Sequence, residues 1–533
     1  MVLTIRERSR RIAPQLERIG AKLREIASET GISKSAAHRH QQAIARRNCY
    51  PESSWWETEV GSAWLKRLVL GIVYYFGLKQ GVGSQALSEF LQGMHLEQHV
   101  GCSPSCLNGL KQSMRDGICA YEAAQKEACV LPPGSGLCVG GDETFFGLPI
   151  LVMMELSSGY LLTEVEQPNR RYETWKAAIE GWWSHSGWKC RYMVSDAAKA
   201  LVKLATDGLA SVSVADLFHQ LRALGNPIGR AIGRCKSKLH KEREVLQAKL
   251  EKTPDEAQKA QLTQSLGSLE QKLEALETDQ QTYHQALQSL SLRIHPFELE
   301  TQQWQMASEL PGALAPDLEK LSILAQTYGT QKALPAIATF TQQIPDLAIG
   351  LSAWWQWVHE ALNAQTQQSE VKAWVLHSLL PWAYWHQQAD KTRHPKLKAA
   401  YRKATDQAQA KLLAAAIPPQ IDALQGQKWL VWAQDMASKY QRTSSAVEGR
   451  NGYLSRLHHG SRGFSPQSLQ VLTIIHNFDL KRADGTTAAQ RLFGQPFPDL
   501  FEWVLEQSSE LPLPRQSHKS QHTKARLGMV FPA

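Results

Sequence analysis

A chain of 533 residues with 43% hydrophobic and 20% charged residues can bury sizeable cores, which excludes a disordered polyelectrolyte, and its length suits about three or four domains. The longest apolar run, Leu68 to Leu78, is shorter than the roughly 20 residues that span a bilayer, and Met1 to Arg8 lacks the apolar core of a secretory leader, so a cytoplasmic protein without a membrane partner is expected. A formal net charge of +9 admits a polyanionic partner, because Lys and Arg gain free energy by releasing phosphate counterions.

The first fifty residues are basic and helical. Leu23, Ile26 and Ala27 mark a short helix, Thr30-Gly31-Ile32 a tight turn, and Ser33 the cap of a second helix, Lys34 to Arg47. A bracing helix, a glycine turn and a basic second helix are what a helix-turn-helix reader needs, with Lys34, Arg39 and Gln41 as DNA contacts. An ordinary helical hairpin with a solvated face fits the same pattern. Residues 51–133 stay helical, with Trp64, Leu68, Ile72 and Tyr75 on one stripe. A second helix-turn-helix is readable here in Leu87 to Leu91, followed by Ser103 as N-cap, Pro104 as first helical residue, and Leu107, Leu110 and Met114. Its weakly basic face suits a packing helix equally well. Leu131 to Gly136 reads as a linker.

Residues 134–235 predict a sheet. Leu137 to Asp142, Leu148 to Leu156 and Tyr160 to Val165, joined by Gly/Ser turns, predict an antiparallel meander. A helix capped by Asn169 follows, then a strand Cys190 to Val194 ending in Ser195-Asp196, a helix Ala197 to Ala205, and a strand Ser211 to Ala215 ending in Asp216-Leu217-Phe218-His219. This order puts Asp142 and Asp196 at strand ends, where a mixed sheet can bring them side by side.

Residues 236–439 read as all-helical. Leu262, Leu266, Leu269, Leu273, Leu276, Tyr283, Leu287 and Leu290 form a heptad seam that an intramolecular hairpin or a dimer zipper would satisfy equally. Thr253-Pro254-Asp255-Glu256 before it has capping-box spacing. The Trp-rich stretch beyond reads as core. Glycine and arginine return over 440–500, and 501–533 reads as a tail, basic from Arg515 to Arg526. The eight cysteines show no zinc spacing and read as small buried thiols in a reducing compartment.

Cutting and joining phosphodiesters requires two divalent cations about 3.5 to 4 Å apart. Magnesium, or manganese, favours carboxylate oxygens, so three acidic side chains on rigid elements suffice. Asp142 and Asp196 fit two places and Glu448 the third. Asn451, Gly452 and Ser455 follow Glu448 on its helix face and leave room for metal and DNA, while Arg442, Arg450, Arg456 and Arg462 are expected phosphate contacts. Each acid also has an ordinary explanation: Ser445-x-x-Glu448 is a capping box, Asp196 an N-cap, Asp142 a turn residue, and Glu143 is a rival ligand.

In this arrangement the chain resembles a DDE-type transposase of a bacterial insertion sequence. The resemblance rests on Asp142, Asp196 and Glu448 in that order, with a long interruption before the last. Asp216-Leu217-Phe218-His219 is similar to the C/D-x-x-H motif, and Ile475-His476-Asn477-Phe478 through Arg482 and Asp484 to Leu492 is similar to the closing segment of many transposases. The resemblance implies an α/β, RNase H-like (integrase-like) catalytic core with a mixed five-stranded sheet, interrupted by a large all-α insertion. It implies two magnesium ions per site held by Asp142, Asp196 and Glu448, with Asp216 and His219 in support. It also implies cleavage at transposon ends, joining of the 3′ hydroxyl to target DNA, terminal-repeat and target DNA as partners, a homodimer or higher oligomer, and association with the bacterial nucleoid. A non-catalytic dimeric DNA-binding regulator and a structure-specific nuclease of the same fold are the alternatives. The enzymatic readings require the three carboxylates to converge.

Overall fold

The computed structural model describes residues 12, 15, 22–47, 49–132, 135–330, 332–461 and 463–514. The expected basic tail from Arg515 and the expected phosphate contact Arg462 lie outside the described residues.

In chain order, helices α1 (Leu23–Thr30), α2 (Lys34–Arg47), α3 (Glu59–Ile72), α4 (Ser84–Gly93) and α5 (Pro104–Gln125) precede the sheet. Strands β1 (Leu137–Phe146), β2 (Leu148–Glu155) and β3 (Tyr160–Glu166) lead into α6 (Tyr172–Ser186), β4 (Cys190–Ser195), α7 (Lys199–Lys203) and β5 (Val212–Ala215). The insertion holds α8 (Leu217–Lys252), α9 (Glu256–Arg293), α10 (Leu310–Thr327), α11 (Ala333–Gln365), α12 (Ser369–Trp374), α13 (Leu380–Lys391), α14 (Pro395–Ala414) and α15 (Ala423–Ser438). It ends at α16 (Ser445–Ser461), after which come α17 (Pro466–Phe478), α18 (Ala488–Phe493) and α19 (Leu500–Gln507). Among the described residues no helix is long and apolar enough to cross a membrane. Two compact units result, one of residues up to Val130 with those from Leu454 onward, the other Leu131–Tyr453.

In the first unit α1 and α2 close over Ile26, Ala37 and Ile44, with Leu23 and Ile32 against them. Gly31 makes the sharp turn between them at φ +69°, a left-handed conformation that costs glycine little. The buried face of α3 is Leu65, Val69 and Ile72. The expected stripe is therefore rotated: Trp64 stays 50% exposed. Ser103 caps α5 as expected, accepting from the Cys106 N–H. Leu107, Met114, Ile118 and Tyr121 of α5 are buried in contact with α17 and α19, so this is a packing helix. The stretch expected to be tail from residue 501 begins inside α19, which buries Phe501 and Val504.

The second unit is built on one mixed five-stranded sheet of order β3-β2-β1-β4-β5. β1 pairs antiparallel with β2 and parallel with β4; β2–β3 is antiparallel and β4–β5 parallel. β1 is longer than expected and carries Asp142 in its interior, because β2 pairs with it as far as Phe146. Asn169 does not cap α6 directly: the helix starts at Tyr172, while Asn169 accepts from the Arg171 N–H and the Thr174 hydroxyl.

α8 and α9 fold back on each other, so the leucine seam is satisfied within one chain, with Leu269, Leu273, Leu276 and Leu290 buried. Asp255 caps α9, in place of the expected start at Thr253-Pro254. The Trp-rich helices do form core, and Trp354, Trp357 and Trp385 are fully buried. Of the eight cysteines, Cys102, Cys138 and Cys190 are buried, but Cys49 and Cys235 are exposed, unlike the expected thiols.

Candidate functional site

The parallel register of β1 and β4 sets the first two acids. Gly140 pairs with Val194, so Asp142 stands two residues further along β1 and Asp196 two residues further along the chain, just past the end of β4. β4 ends at Ser195, and the chain turns there through Ala197 at φ +64°, a left-handed conformation that costs alanine roughly 1–2 kcal/mol. Asp196 Oδ1 accepts from the Ala198 N–H at 2.9 Å in the turn before α7, whose N-cap is Ala198, so Asp196 is not the helix cap that the sequence suggests.

The pleat separates Asp142 from its rival. Residues 140 and 142 share one face of β1, and 141 and 143 share the other. A Cβ on Gly140 would lie 3.1 Å from the Val447 side chain, so the Asp142 face is the one that α16 covers. Glu143 points the other way, 3.4 Å from the Trp175 indole N–H on α6 and 3.9 Å from Arg170.

α16 lies across the row formed by Asp142, Val152 and Glu164, which are paired in register over β1, β2 and β3. Arg450 makes a two-pronged ion pair with Glu164 at 2.7 and 2.6 Å, and Asn451 donates to Asp142 Oδ2 at 2.9 Å. Asn451 is three residues from Glu448, so the same helix face reaches both Asp142 and the third acid. Burial pushes Asp142 up to about 7, and repulsion from Glu448, Glu143 and Asp196 adds to the effect. Burial likewise raises Glu143, with Asp196 adding to it.

Glu448 Oε1 meets His219 Nε2 at 2.9 Å. Asp216 explains why. Its Oδ1 caps α8 by accepting from the Phe218 and His219 N–H groups at 2.7 and 3.3 Å. Its Oδ2 accepts from the Ser444 N–H at 2.7 Å and from the Ser444 hydroxyl, so one fully buried carboxylate starts α8 and α16 side by side. The helix thus begins after Ser444, and Ser445 is not the cap that the sequence suggests.

The described arrangement offers oxygen donors from Asp142, Asp196 and Glu448 together with a buried Asn451 Oδ1 and a buried His219 Nδ1 that have no hydrogen-bond partner. Oxygen-rich donors of this kind suit magnesium or manganese. Among the described residues, however, no three His, Cys, Asp or Glu side chains are already drawn together as a metal-ligand cluster. Glu448 instead spends its carboxylate on His219.

Two expected phosphate contacts are structural. Arg450 is 2% exposed and committed to Glu164. Arg442 donates to the Ser291 and Ile294 carbonyls and, at 3.0 Å, to the Tyr401 hydroxyl, closing the C-terminal end of α9. Arg456 is exposed. In α2, Lys34 and Arg39 are exposed and Gln41 is half-buried; His38, Gln42 and Arg46 lie outward at helical spacing, and α2 contains no acidic residue. Asn451 as a partner of Asp142 was not foreseen; its position three residues after Glu448 was the available signal.

A family model described as "Family of unknown function (DUF6399)" matches residues 375–520, a stretch that contains Glu448 but neither Asp142 nor Asp196. No curated protein and no solved structure matches the chain.

Proposed function

We propose that this protein is a DNA-cutting and joining enzyme of the DDE transposase type, with an RNase H-like core in which Asp142, Asp196 and Glu448 form the active site. The observation that carries this reading is the placement of Asp142 and Asp196 beside each other under the helix that bears Glu448, with Asn451 of that helix on Asp142. The strand order 3-2-1-4-5 and the long helical interruption before Glu448 support the same reading.

Asp142, Asp196 and Glu448 would hold two magnesium ions, which supply activation of the attacking oxygen and stabilisation of the leaving oxygen. Asn451 holds Asp142 in one orientation, and its unpartnered Oδ1 leaves an acceptor in the same place. His219 holds Glu448 in its present rotamer and, when released, offers a proton-bearing ring nitrogen beside the site. The exposed cationic face of α2 is the DNA-reading surface, through Lys34 and Arg39.

Asp142→Asn, Asp196→Asn and Glu448→Gln are each expected to lower magnesium-dependent strand cleavage by at least about a thousandfold, roughly 4 kcal/mol, with duplex binding retained. Full cleavage by any one of them removes that residue from the active site. Cleavage without joining of the 3′ hydroxyl to a second duplex would identify a nuclease instead. The gathering of His219 onto Glu448 with no ready ligand cluster favours one further reading, a DNA-binding regulator, which predicts binding with no cleavage at all.

A further inference from the structure

α8 begins at the Asp216 cap, with His219 on Glu448, and runs for 36 residues. Its last buried residue is Ile232, and the first buried residue of α9 is Leu269. The tip of the hairpin between them therefore contributes no side chain to the buried core.

The sides of α8 are used differently. The α9 side is marked by Tyr283, whose hydroxyl donates to the Gly225 carbonyl at 3.0 Å, and by Lys236, which donates to Gln280 at 3.0 Å. Away from it, Arg230, Arg234, Lys238 and Lys241 follow one another at steps of four, four and three residues, which places them on one face. Gly233 and Ser237 lie between them and floor an open depression of about 740 Å³ that no carboxylate lines. Lys238 has an exposed neighbour, Glu242 at 3.8 Å, a solvent-screened surface pairing that leaves the lysine available to a phosphate. Arg230, Arg234 and Lys241 make no ion pair among the described residues. From Arg230 to Lys241 the helix rises about 16 Å, a span of roughly five base pairs. Four cations strung along that distance match a polymer of phosphates, whereas a single anion would need them to converge. The two small residues between them allow a phosphate backbone to approach.

We propose that the Arg230–Lys241 face of α8 is a track for the backbone of duplex DNA, carrying the flank of the strand engaged at Asp142, Asp196 and Glu448. The choice of DNA rests on the function proposed above; the presence of a polyanion track does not.

The test uses the full chain and a labelled mixed-sequence DNA duplex in EDTA, so that binding is read without chemistry. Replacing Arg230, Arg234, Lys238 and Lys241 by Gln should reduce the steepness of log K against log salt by about 3.6, near 0.9 per lost phosphate contact. Lys259→Gln with Lys272→Gln, exposed on α9, should leave the slope unchanged and controls for net charge. If the fourfold variant does not fold, Arg230→Gln and Arg234→Gln singly should each lower the slope by about 0.9. An unchanged slope overturns the track even if the wild type cleaves DNA. A lowered slope in a protein that never cleaves leaves the track standing and removes the enzymatic reading. A slope change with duplex RNA and none with duplex DNA overturns the assignment to DNA.

Discussion

Arg450 illustrates how a residue's surroundings reverse its expected part. A guanidinium beside a candidate catalytic glutamate suggests a phosphate contact, but here it is 2% exposed against Glu164, itself fully buried. Removing one partner leaves an uncompensated buried charge, so Arg450→Met or Glu164→Gln should each cost about 3–5 kcal/mol in urea unfolding, and the double variant less than their sum. Additive losses would show that the pair is not coupled. His295 is the second such residue. It is fully buried between the Tyr384 and Tyr401 hydroxyls, and burial, with the Arg442 guanidinium adding, holds it well below its ordinary range. Tyr401 accepts from Arg442, which leaves its own hydrogen for His295 Nε2 and suits a neutral ring. The folded protein thus refuses a proton that the unfolded chain takes up near pH 6.5. This contribution to stability is present in full above about pH 6.5 and is lost as pH falls below it, by up to about 1.4 kcal/mol per pH unit. Urea midpoints measured across that range should show the slope, and His295→Gln should remove one proton from it. An identical slope in the variant would assign the pH dependence elsewhere.

At the scale of the element, α16 depends on what β1 lacks. A Cβ on Gly140 would stand 2.6 Å from a Leu156 methyl and 3.1 Å from a Val447 methyl, so helix and strand meet only because residue 140 has no side chain. Gly140→Ala should cost about 1–3 kcal/mol by overpacking, and under the proposed function it should lower cleavage more than duplex binding because it moves α16, and Glu448 with it, away from Asp142. Equal stability to the wild type in thermal denaturation would mean that Leu156 and Val447 can give way. Glycine inside a strand is explained at Gly140 by the close approach of a helix some 300 residues later in the chain.

For the whole molecule, the α8–α9 hairpin tip lies apart from the core. Replacing Val245–Gly267, none of it buried, by a short turn should move Tm by no more than about 2–4 °C, the effect of roughly 1 kcal/mol in a large domain. A loss of cooperative unfolding would show that the tip has a structural duty.

The sequence by itself determined the elements. Apolar runs between Gly/Ser turns marked three strands and apolar runs after helices marked two more, the leucine heptads marked the hairpin, and acids at strand ends and on a late helix marked candidates for one site. These signals are local, because strand alternation, helical spacing and caps are written within a few residues. The tertiary structure decided whether the seam closed within one chain, which face of β1 met α16, and which arginines were buried. Those outcomes depend on partners far away in the chain: Glu164 for Arg450, Ser444 for Asp216, and Val447 for Gly140. Burial and charge pairing are properties of the packed whole, so no local window of residues contains them.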